Sequence, residues 1–307
     1  EAAGDTTVEA VPTAEAGDIT AAELGADAWG GADAPAPEPI DPVQARRERV
    51  NSAAASLTNP SMAASAITSL KEVVAQDPSN AYAHYNLGLA YALQDNTLQA
   101  RKSYLAAIQA DPGFGAAYVN LAGLDMATGK YPSAEAQYRS GLRNDPENME
   151  LWTGLVSVLR AQGRLRDAEA EAKKALLVNT NALDVYANLG LVYIELGQLD
   201  LANFIIQKAV TTIPGGGDNA SLHQNQGRVY HLQDKPVDAK LAYDKALKLD
   251  PDLVAARIWL SDFYLDNRNF EDTVPLLERA RDLQPDNPAI HLNLGIAYRG
   301  VGRYEDA

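Results

Sequence analysis

The chain has 307 residues with 41 acidic and 26 basic side chains, which gives a formal charge of −15 at pH 7. This charge repels phosphate backbones and anionic lipid surfaces, so we expect neither nucleic acid nor an anionic membrane surface as a partner. Cysteine is missing from the sequence, which excludes disulfides, thiol catalysis and cysteine-ligated zinc and leaves periplasm and cytoplasm both open. No apolar run approaches the length of a transmembrane segment.

Residues 1–45 are predicted to be a disordered acidic tether. They hold ten of the acids and no Lys or Arg, leaving 31 acids against 26 bases in residues 46–307. This Ala-, Gly- and Pro-rich segment has too little apolar surface to offset the entropy of ordering. Within it, Asp18 is placed to cap one helical turn through Ile19 and Leu24, with Trp29 just beyond. This cluster is either a short docking motif or an incidental apolar group.

From residue 46 onward the sequence repeats with a period of 34 residues. The clearest unit is 81–114, which carries His84, Leu87, Gly88, Tyr91, Ala100, Tyr104, Ala107 and Pro112. This spacing resembles the tetratricopeptide-repeat (TPR) family pattern W-x2-L-G-x2-Y, followed by A-x3-F, a further Ala and a Pro. The resemblance implies an all-α fold, a right-handed superhelical solenoid of antiparallel helix pairs that holds other polypeptides in a concave groove.

The pattern recurs in register, so residues 46–307 are predicted to be one TPR array. Its units are 47–80, 81–114, 115–148, 149–182, 183–216, 220–253, 254–287 and the partial unit 288–307. Apolar residues three and four apart give two amphipathic helices per unit, and stacking of neighbouring units supplies the core that neither helix can form alone.

The two ends of the chain carry expectations of their own. The first residue is Glu rather than Met, so we expect a processed or cut start. The last unit stops after its first helix, and an unpartnered apolar helix would leave an adhesive face. We therefore expect the natural chain to continue beyond residue 307.

No catalytic constellation is recognisable, so we predict a non-catalytic protein without a cofactor or metal. Three of the four histidines, His84, His223 and His291, occupy the fourth position of a unit, where a packing or interface role is expected. No carboxylate recurs with them at metal-ligand spacing. Residues 215–217 are three glycines without a following Lys-Ser/Thr, which indicates a hinge in a turn rather than a phosphate loop.

The sixth position of the units is rich in asparagine. From residue 81 onward it reads Asn86, Asn120, Gly154, Asn188, Asn225, Trp259 and Asn293. This run resembles the asparagine ladder in the TPR region of O-GlcNAc transferases, which implies that the amides bind the main chain of an extended peptide. The alternative is that these asparagines serve helix packing.

The fifth position contains no lysine, so the carboxylate clamp of chaperone-binding TPRs is absent. The other groove candidates are Tyr82, Tyr85, Arg228 and Asp262, together with Glu150, Asp184, Glu195 and Asp266. Acids outnumber bases among them, which favours a partner segment of basic or mixed charge, unless these charges are simply a solvated helix face.

An acidic tether before a TPR array resembles the layout of bacterial TPR lipoproteins, including those of gliding-motility machinery. The resemblance implies an interaction scaffold in the cell envelope, in the periplasm or at the outer membrane, with a lipid anchor upstream of residue 1. A cytoplasmic location is the alternative. Two other functions stay open: the substrate-recruiting region of a larger enzyme such as a glycosyltransferase, and an adaptor for a secretin or peptidoglycan hydrolase.

Overall fold

The computed structural model describes residues 41–307, and the cluster between Asp18 and Trp29 lies outside them. Within the described part, the chain folds into fifteen α-helices and two short 3-10 helices, with no β-strand. The all-α solenoid of helix pairs expected from the sequence is therefore confirmed.

The helices follow the repeat in chain order. They are α1 (Pro42–Ser56), α2 (Ala63–Gln76), α3 (Ala81–Ala92), α4 (Thr97–Ala110), α5 (Gly115–Ala127), α6 (Tyr131–Asn144), α7 (Met149–Ala161), α8 (Leu165–Val178), α9 (Leu183–Glu195), α10 (Leu199–Thr212), α11 (Ala220–Leu232), α12 (Pro236–Leu249), α13 (Val254–Asp266), α14 (Phe270–Leu283) and α15 (Pro288–Gly300). The 3-10 turns are Pro60–Met62 and Gly216–Asp218.

Helix α1 begins at Pro42, inside the segment that the sequence assigned to the tether. Proline suits the first turn of a helix because its missing N–H has no partner there in any case. The Asp41 carboxylate accepts a hydrogen bond from the Val43 N–H at 3.0 Å and caps this end. A proline that ends an extended segment and one that begins a helix look alike in a sequence.

From α3 to α13, each first helix packs against its own second helix, and from α5 to α15 neighbouring first helices also pack against one another. The odd-numbered helices thus form one continuous layer, and the even-numbered helices lie on its other side. We call the surface of the first-helix layer that faces away from the second helices the inner face. Side chains at positions 2, 5, 6, 9, 12 and 13 of each unit belong to it.

Small residues set the distance between the two helices of a unit. A Cβ atom at Gly88 or Gly227 would collide with the ring of Tyr104 or Tyr243 on the partner helix. Both tyrosines are almost fully buried. Burial of a side chain of this size stabilises the fold by about 1.5–3 kcal/mol, so the glycines are required for a major part of the core.

In most units the side chain at position 4 joins the unit to the preceding turn. In five units it donates a hydrogen bond to the carbonyl oxygen six residues earlier: His84 to Pro78, Trp152 to Pro146, His223 to Gly217, Arg257 to Pro251 and His291 to Pro285. A carbonyl only accepts, so in the three histidines Nε2 must carry the proton. The position-4 histidines are therefore structural donors between units.

The turn inside each unit needs one residue with a left-handed backbone. Position 15 has a φ angle between 55° and 78° in all seven units from residue 81 onward. Four units place Gly129, Gly163, Gly197 and Gly302 there, and the others place Asp95, Asp234 and Arg268. A residue with a Cβ atom incurs a conformational cost in this region that glycine avoids.

We predict that Arg268→Gly raises the free energy of unfolding by about 0.5–1 kcal/mol, because the conformational relief outweighs the greater entropy of unfolded glycine. Gly163→Ala should lower it by about 1 kcal/mol, since no other atom lies within 4 Å of the added methyl and only the backbone conformation is strained. Urea denaturation followed by circular dichroism measures both.

Gly123→Ala is the matched control for these two variants. Gly123 is also free of neighbours within 4 Å, but it lies inside helix α5 with an ordinary φ angle. Alanine there should stabilise the protein. Equal effects of Gly123→Ala and Gly163→Ala would contradict the conformational explanation.

Candidate functional site

The nine site residues predicted from the sequence all lie on first helices. Tyr82, Tyr85 and Asn86 are on α3, Asn120 is on α5, Asn188 is on α9, Asn225 and Arg228 are on α11, Asp262 is on α13 and Asn293 is on α15. The structure does not gather them at a single point. It brings them into an aromatic cavity near α3 and a polar network between α7 and α15.

The aromatic cavity is lined by Tyr82, Tyr85 and Asn86 of α3, by residues 111 and 113–116 before and at the start of α5, and by Val50, Asn51 and Ala54 of α1. The Phe114 ring stands edge-on to Tyr82, with their centroids 4.9 Å apart. It also lies 5.1 Å from the Tyr85 ring. Tyr82 remains 65% exposed, so one aromatic wall of the cavity is open to solvent.

Phe114 is a site residue that the sequence reasoning missed. It occupies the position before a first helix, where the corresponding Asn80, Asn148, Asn219 and Asn287 each cap the following helix with their side chains. Phe114 makes no such side-chain cap. Loss of a cap typically costs about 1 kcal/mol. An aromatic residue at a position that four other units fill with a capping asparagine was the available signal.

Tyr85 joins the cavity to the next unit. Its hydroxyl oxygen accepts a hydrogen bond from Asn120 Nδ2 at 2.9 Å. Burial raises the pKa of Tyr85 above its ordinary value, although the Asn120 hydrogen bond acts in the opposite direction. The phenol is therefore neutral at pH 7, and its O–H proton is available to an acceptor.

Each of the five asparagines of the ladder donates one hydrogen bond from Nδ2 to another group of the array. Nδ2 of Asn86 and of Asn188 donates to the carbonyl oxygen of Tyr82 and of Asp184 in the same helix. Asn120, Asn225 and Asn293 donate to Tyr85 Oη, the Ala187 carbonyl and Asp262 Oδ1 of the preceding unit. Among residues 41–307, the side-chain oxygens of Asn86, Asn120 and Asn293 receive no hydrogen bond, and each of their amide nitrogens has a second N–H besides the one already donated, so the ladder presents acceptors as well as donors.

Bulky side chains fill both gaps in the ladder. The Tyr138 ring of the preceding unit occupies the space where a Cβ atom at Gly154 would lie. At the other gap, the Arg228 guanidinium stacks over the Trp259 ring, 4.1 Å from its centroid. Neither position therefore presents an amide.

The polar network continues the inner face towards the last described helix. Arg160 donates hydrogen bonds to Glu195 at 2.9 Å and to Asn188 Oδ1 at 3.0 Å. Further along the array, Asn293 donates to Asp262 at 2.7 Å. His231 Nε2 lies 3.1 Å from Asp266.

Burial perturbs two groups of this network. Burial lowers the pKa of Arg228 and raises the pKa of Asp262. The negative charge of Asp266 raises the pKa of Asp262 further. Both shifts mean that the charged form has lost part of its hydration. A partner group of opposite charge would therefore displace little bound water when it pairs with Arg228 or Asp262.

Two further properties concern the described residues only. Residues 41–307 contain no group of three or more His, Asp or Glu side chains arranged to hold a metal ion. None of their helices is both long and apolar enough to cross a membrane.

Family models confirm the repeat assignment. Models described as TPR repeat or tetratricopeptide repeat match residues 64–95, 81–114, 119–184, 183–215, 220–253 and 260–307. The chain belongs to the tetratricopeptide-repeat family, whose fold is that of a protein–protein interaction scaffold and whose members are typically non-catalytic. A comparison with curated proteins found no significant match.

Several solved structures share the fold at low sequence identity. A tetratricopeptide-repeat protein from Parabacteroides merdae is 18% identical with a TM-score of 0.68, and the alignment covers 83% of this chain and 99% of that one. Yeast Tom70 is 16% identical with a TM-score of 0.60, covering 80% of this chain and 53% of Tom70. PilF of Pseudomonas aeruginosa is 18% identical with a TM-score of 0.56, covering 72% and 98%.

We predict that Asp262→Asn raises the melting temperature at pH 7 and that this gain vanishes near pH 3. The folded-state pKa of Asp262 lies above its unfolded value, so the wild type loses stability as the pH rises through the folded pKa. Below the unfolded value of about 3.9 the carboxyl is protonated in both states and the two proteins should match. The amide that replaces the carboxylate keeps an oxygen that can accept the hydrogen bond from Asn293.

The control is Asp286→Asn, which removes a carboxylate that is exposed to solvent. Differential scanning calorimetry between pH 3 and pH 7 measures the three proteins. A gain for Asp262→Asn that is independent of pH would contradict the desolvation account.

Proposed function

We propose that the inner face binds an extended segment of a partner protein, which has mixed charge and inserts one aromatic or large apolar side chain into the cavity beside Tyr82. The observation that carries this proposal is the aromatic cavity itself. Tyr82 keeps 65% of its surface in water although Phe114 and Tyr85 stand ready to pack against a further ring. Exposed aromatic residues beside a polar rim are typical of binding hot spots.

Charge supports basic residues in the part of the segment that crosses the polar network of α9 to α13, away from the aromatic anchor. Asp262 holds a poorly hydrated carboxylate, and Asp266 and Glu195 lie on the same face. The cationic Arg228 is already stacked on Trp259. A lysine or arginine of the partner would relieve the repulsion between Asp262 and Asp266, which gives specificity for basic or mixed-charge sequences.

The main chain of the segment has acceptors to meet. The side-chain oxygens of Asn86 and Asn120 are unused on α3 and α5, next to the cavity. Backbone N–H groups of an extended peptide donate to such oxygens regardless of sequence. The cavity thus selects the side chain of the partner segment, and the two amides fix the position of its main chain along the inner face.

We also propose that the scaffold works in a bacterial cell envelope, held by residues 1–45 and a lipid anchor upstream of residue 1, in a complex such as a gliding-motility machine. Its support is compositional: a stretch with ten acids and no basic residue precedes the repeats. The sequence upstream of Glu1 in the source gene tests it. A signal peptide ending in a lipobox cysteine is expected, and a cytoplasmic domain there would overturn it.

The peptide proposal is tested by selecting binders from a random twelve-residue phage library on the immobilised chain. We expect enriched sequences that combine one Trp, Phe or Leu with a Lys or Arg several residues away from it. A selected peptide should bind Tyr82→Ser at least about tenfold more weakly in calorimetry, because a buried aromatic contact is lost.

Tyr304→Ser is the matched control, since Tyr304 is 75% exposed and lies after the last first helix. It should bind like the wild type. Asn225 is unsuitable for such a test, because it is only 2% exposed and its replacement would remove a hydrogen bond between units. Enrichment of peptides that bind Tyr82→Ser and wild type equally would refute the cavity as the anchor site.

A further inference from the structure

The second-helix side of the array has two apolar grooves, one on each side of α8. The first lies between α6 and α8 and has Trp152 and Leu155 of α7 as its floor. The second lies between α8 and α10, with Tyr186 and Leu189 of α9 as its floor. We call these two clefts the α8 grooves. They open away from the inner face because their walls are second helices.

Basic side chains surround both grooves. Arg139, Arg143 and Lys174 line the first, and Lys173 and Lys208 line the second. Glu171 is the one acidic residue among the lining residues of the two grooves. Glu135 and Glu169 pair with Arg139 and Lys173 beside the grooves, so five cations stand against three carboxylates. In a chain with a formal charge of −15, this is a local region of net positive charge.

Two of these cations have no carboxylate partner within residues 41–307. Arg143 donates a hydrogen bond to the Ser140 hydroxyl at 2.7 Å. The Lys208 ammonium lies over the Tyr186 ring, 5.7 Å from its centroid. The others are paired, as Lys173 is with Glu169 at 2.7 Å. Arg143 and Lys208 thus lie on opposite sides of α8, and each can pair with an anionic group of a binding partner.

An exposed apolar residue lies at the edge of the second groove, next to the basic side chains. Leu177 lies at the end of α8, lines the second groove and keeps 85% of its surface in water. Ile205 and Leu176 line the same groove and are half-buried. A purely polyanionic ligand would leave these apolar groups wet, so charge alone does not account for the surface.

We infer that the α8 grooves bind an acidic peptide segment of a second protein, which places one large apolar side chain in each groove and its carboxylates beside Arg143 and Lys208. The two anchors must span the width of α8, which is about 10–12 Å with side chains. About three or four residues of an extended chain cover this distance. The outer surface therefore takes a segment of opposite charge to the one proposed for the inner face.

A fluorescein-labelled synthetic peptide tests this inference with the full 307-residue chain. The peptide has one Leu and one Trp separated by three residues, all other positions being Asp or Glu. We expect saturable binding in fluorescence anisotropy that weakens as salt rises, because the charges are exposed. Arg143→Glu/Lys208→Glu should weaken it about tenfold or more, and Leu177→Ser about threefold or more.

Lys245→Glu/Lys248→Glu is the matched charge control, since both lysines are exposed on α12 and line neither groove. It should bind like the wild type, and so should Tyr82→Ser, which keeps this test separate from that of the inner face. Circular dichroism confirms that each variant is folded.

Three results would overturn the inference. The first is no saturable binding of the peptide at concentrations up to about 1 mM. The second is equal binding of a control peptide with Ser in place of Leu and Trp, which would mean that the surface recognises charge alone, as it would a polyanion. The third is binding that Arg143→Glu/Lys208→Glu leaves unchanged.

Discussion

The structure depends on close contact between helices that cannot exclude water alone. From α3 to α13, each first helix buries its apolar stripe against its own second helix, and from α5 to α15 neighbouring first helices also pack against one another. Glycine at position 8, as at Gly88 and Gly227, lets a tyrosine ring lie directly on the backbone of the neighbouring helix. Because the first helices are fixed from both sides, the side chains on the inner face project from a rigid support.

Two surfaces of opposite character result from one repeated fold. The inner face combines an aromatic cavity with the poorly hydrated carboxylate of Asp262, whereas the α8 grooves combine apolar floors with five cations. The formal charge of −15 conceals this difference, because it averages over the whole chain. In a solenoid the two helix layers face different sides, so each can evolve its own partner chemistry while the core positions stay the same.

The sequence predicted the fold well because the core positions repeat at a fixed period. Leu121, Ala122 and Tyr138 are buried as that period requires. The site was harder to predict from the sequence, because Phe114 reaches it from a turn and not from a position of the helical pattern. The partners of the asparagine amides depend on the rotation between neighbouring helices, which residue spacing does not determine. For the position-4 histidines the sequence predicted a packing or interface role, but the same limit left their acceptors in the preceding turn unidentified.

The inserted residues before α11 show how the array tolerates length variation. Residues 217–219 lengthen this turn, yet His223 still finds a carbonyl six residues earlier, at Gly217 instead of a proline. In the sequence register the extra residues are 217–219, but counted back from that hydrogen bond Gly217 takes the place of the proline, and the three extra residues precede it. There Gly215 adopts a left-handed conformation and Gly216 packs against the Ala209 carbonyl. The acceptor of the hydrogen bond between units therefore lies at a fixed number of residues before the following helix, whatever the length of the preceding turn. A gene duplication or replication slippage within a turn can then add residues without changing the hydrogen bond that joins the next helix pair to the array.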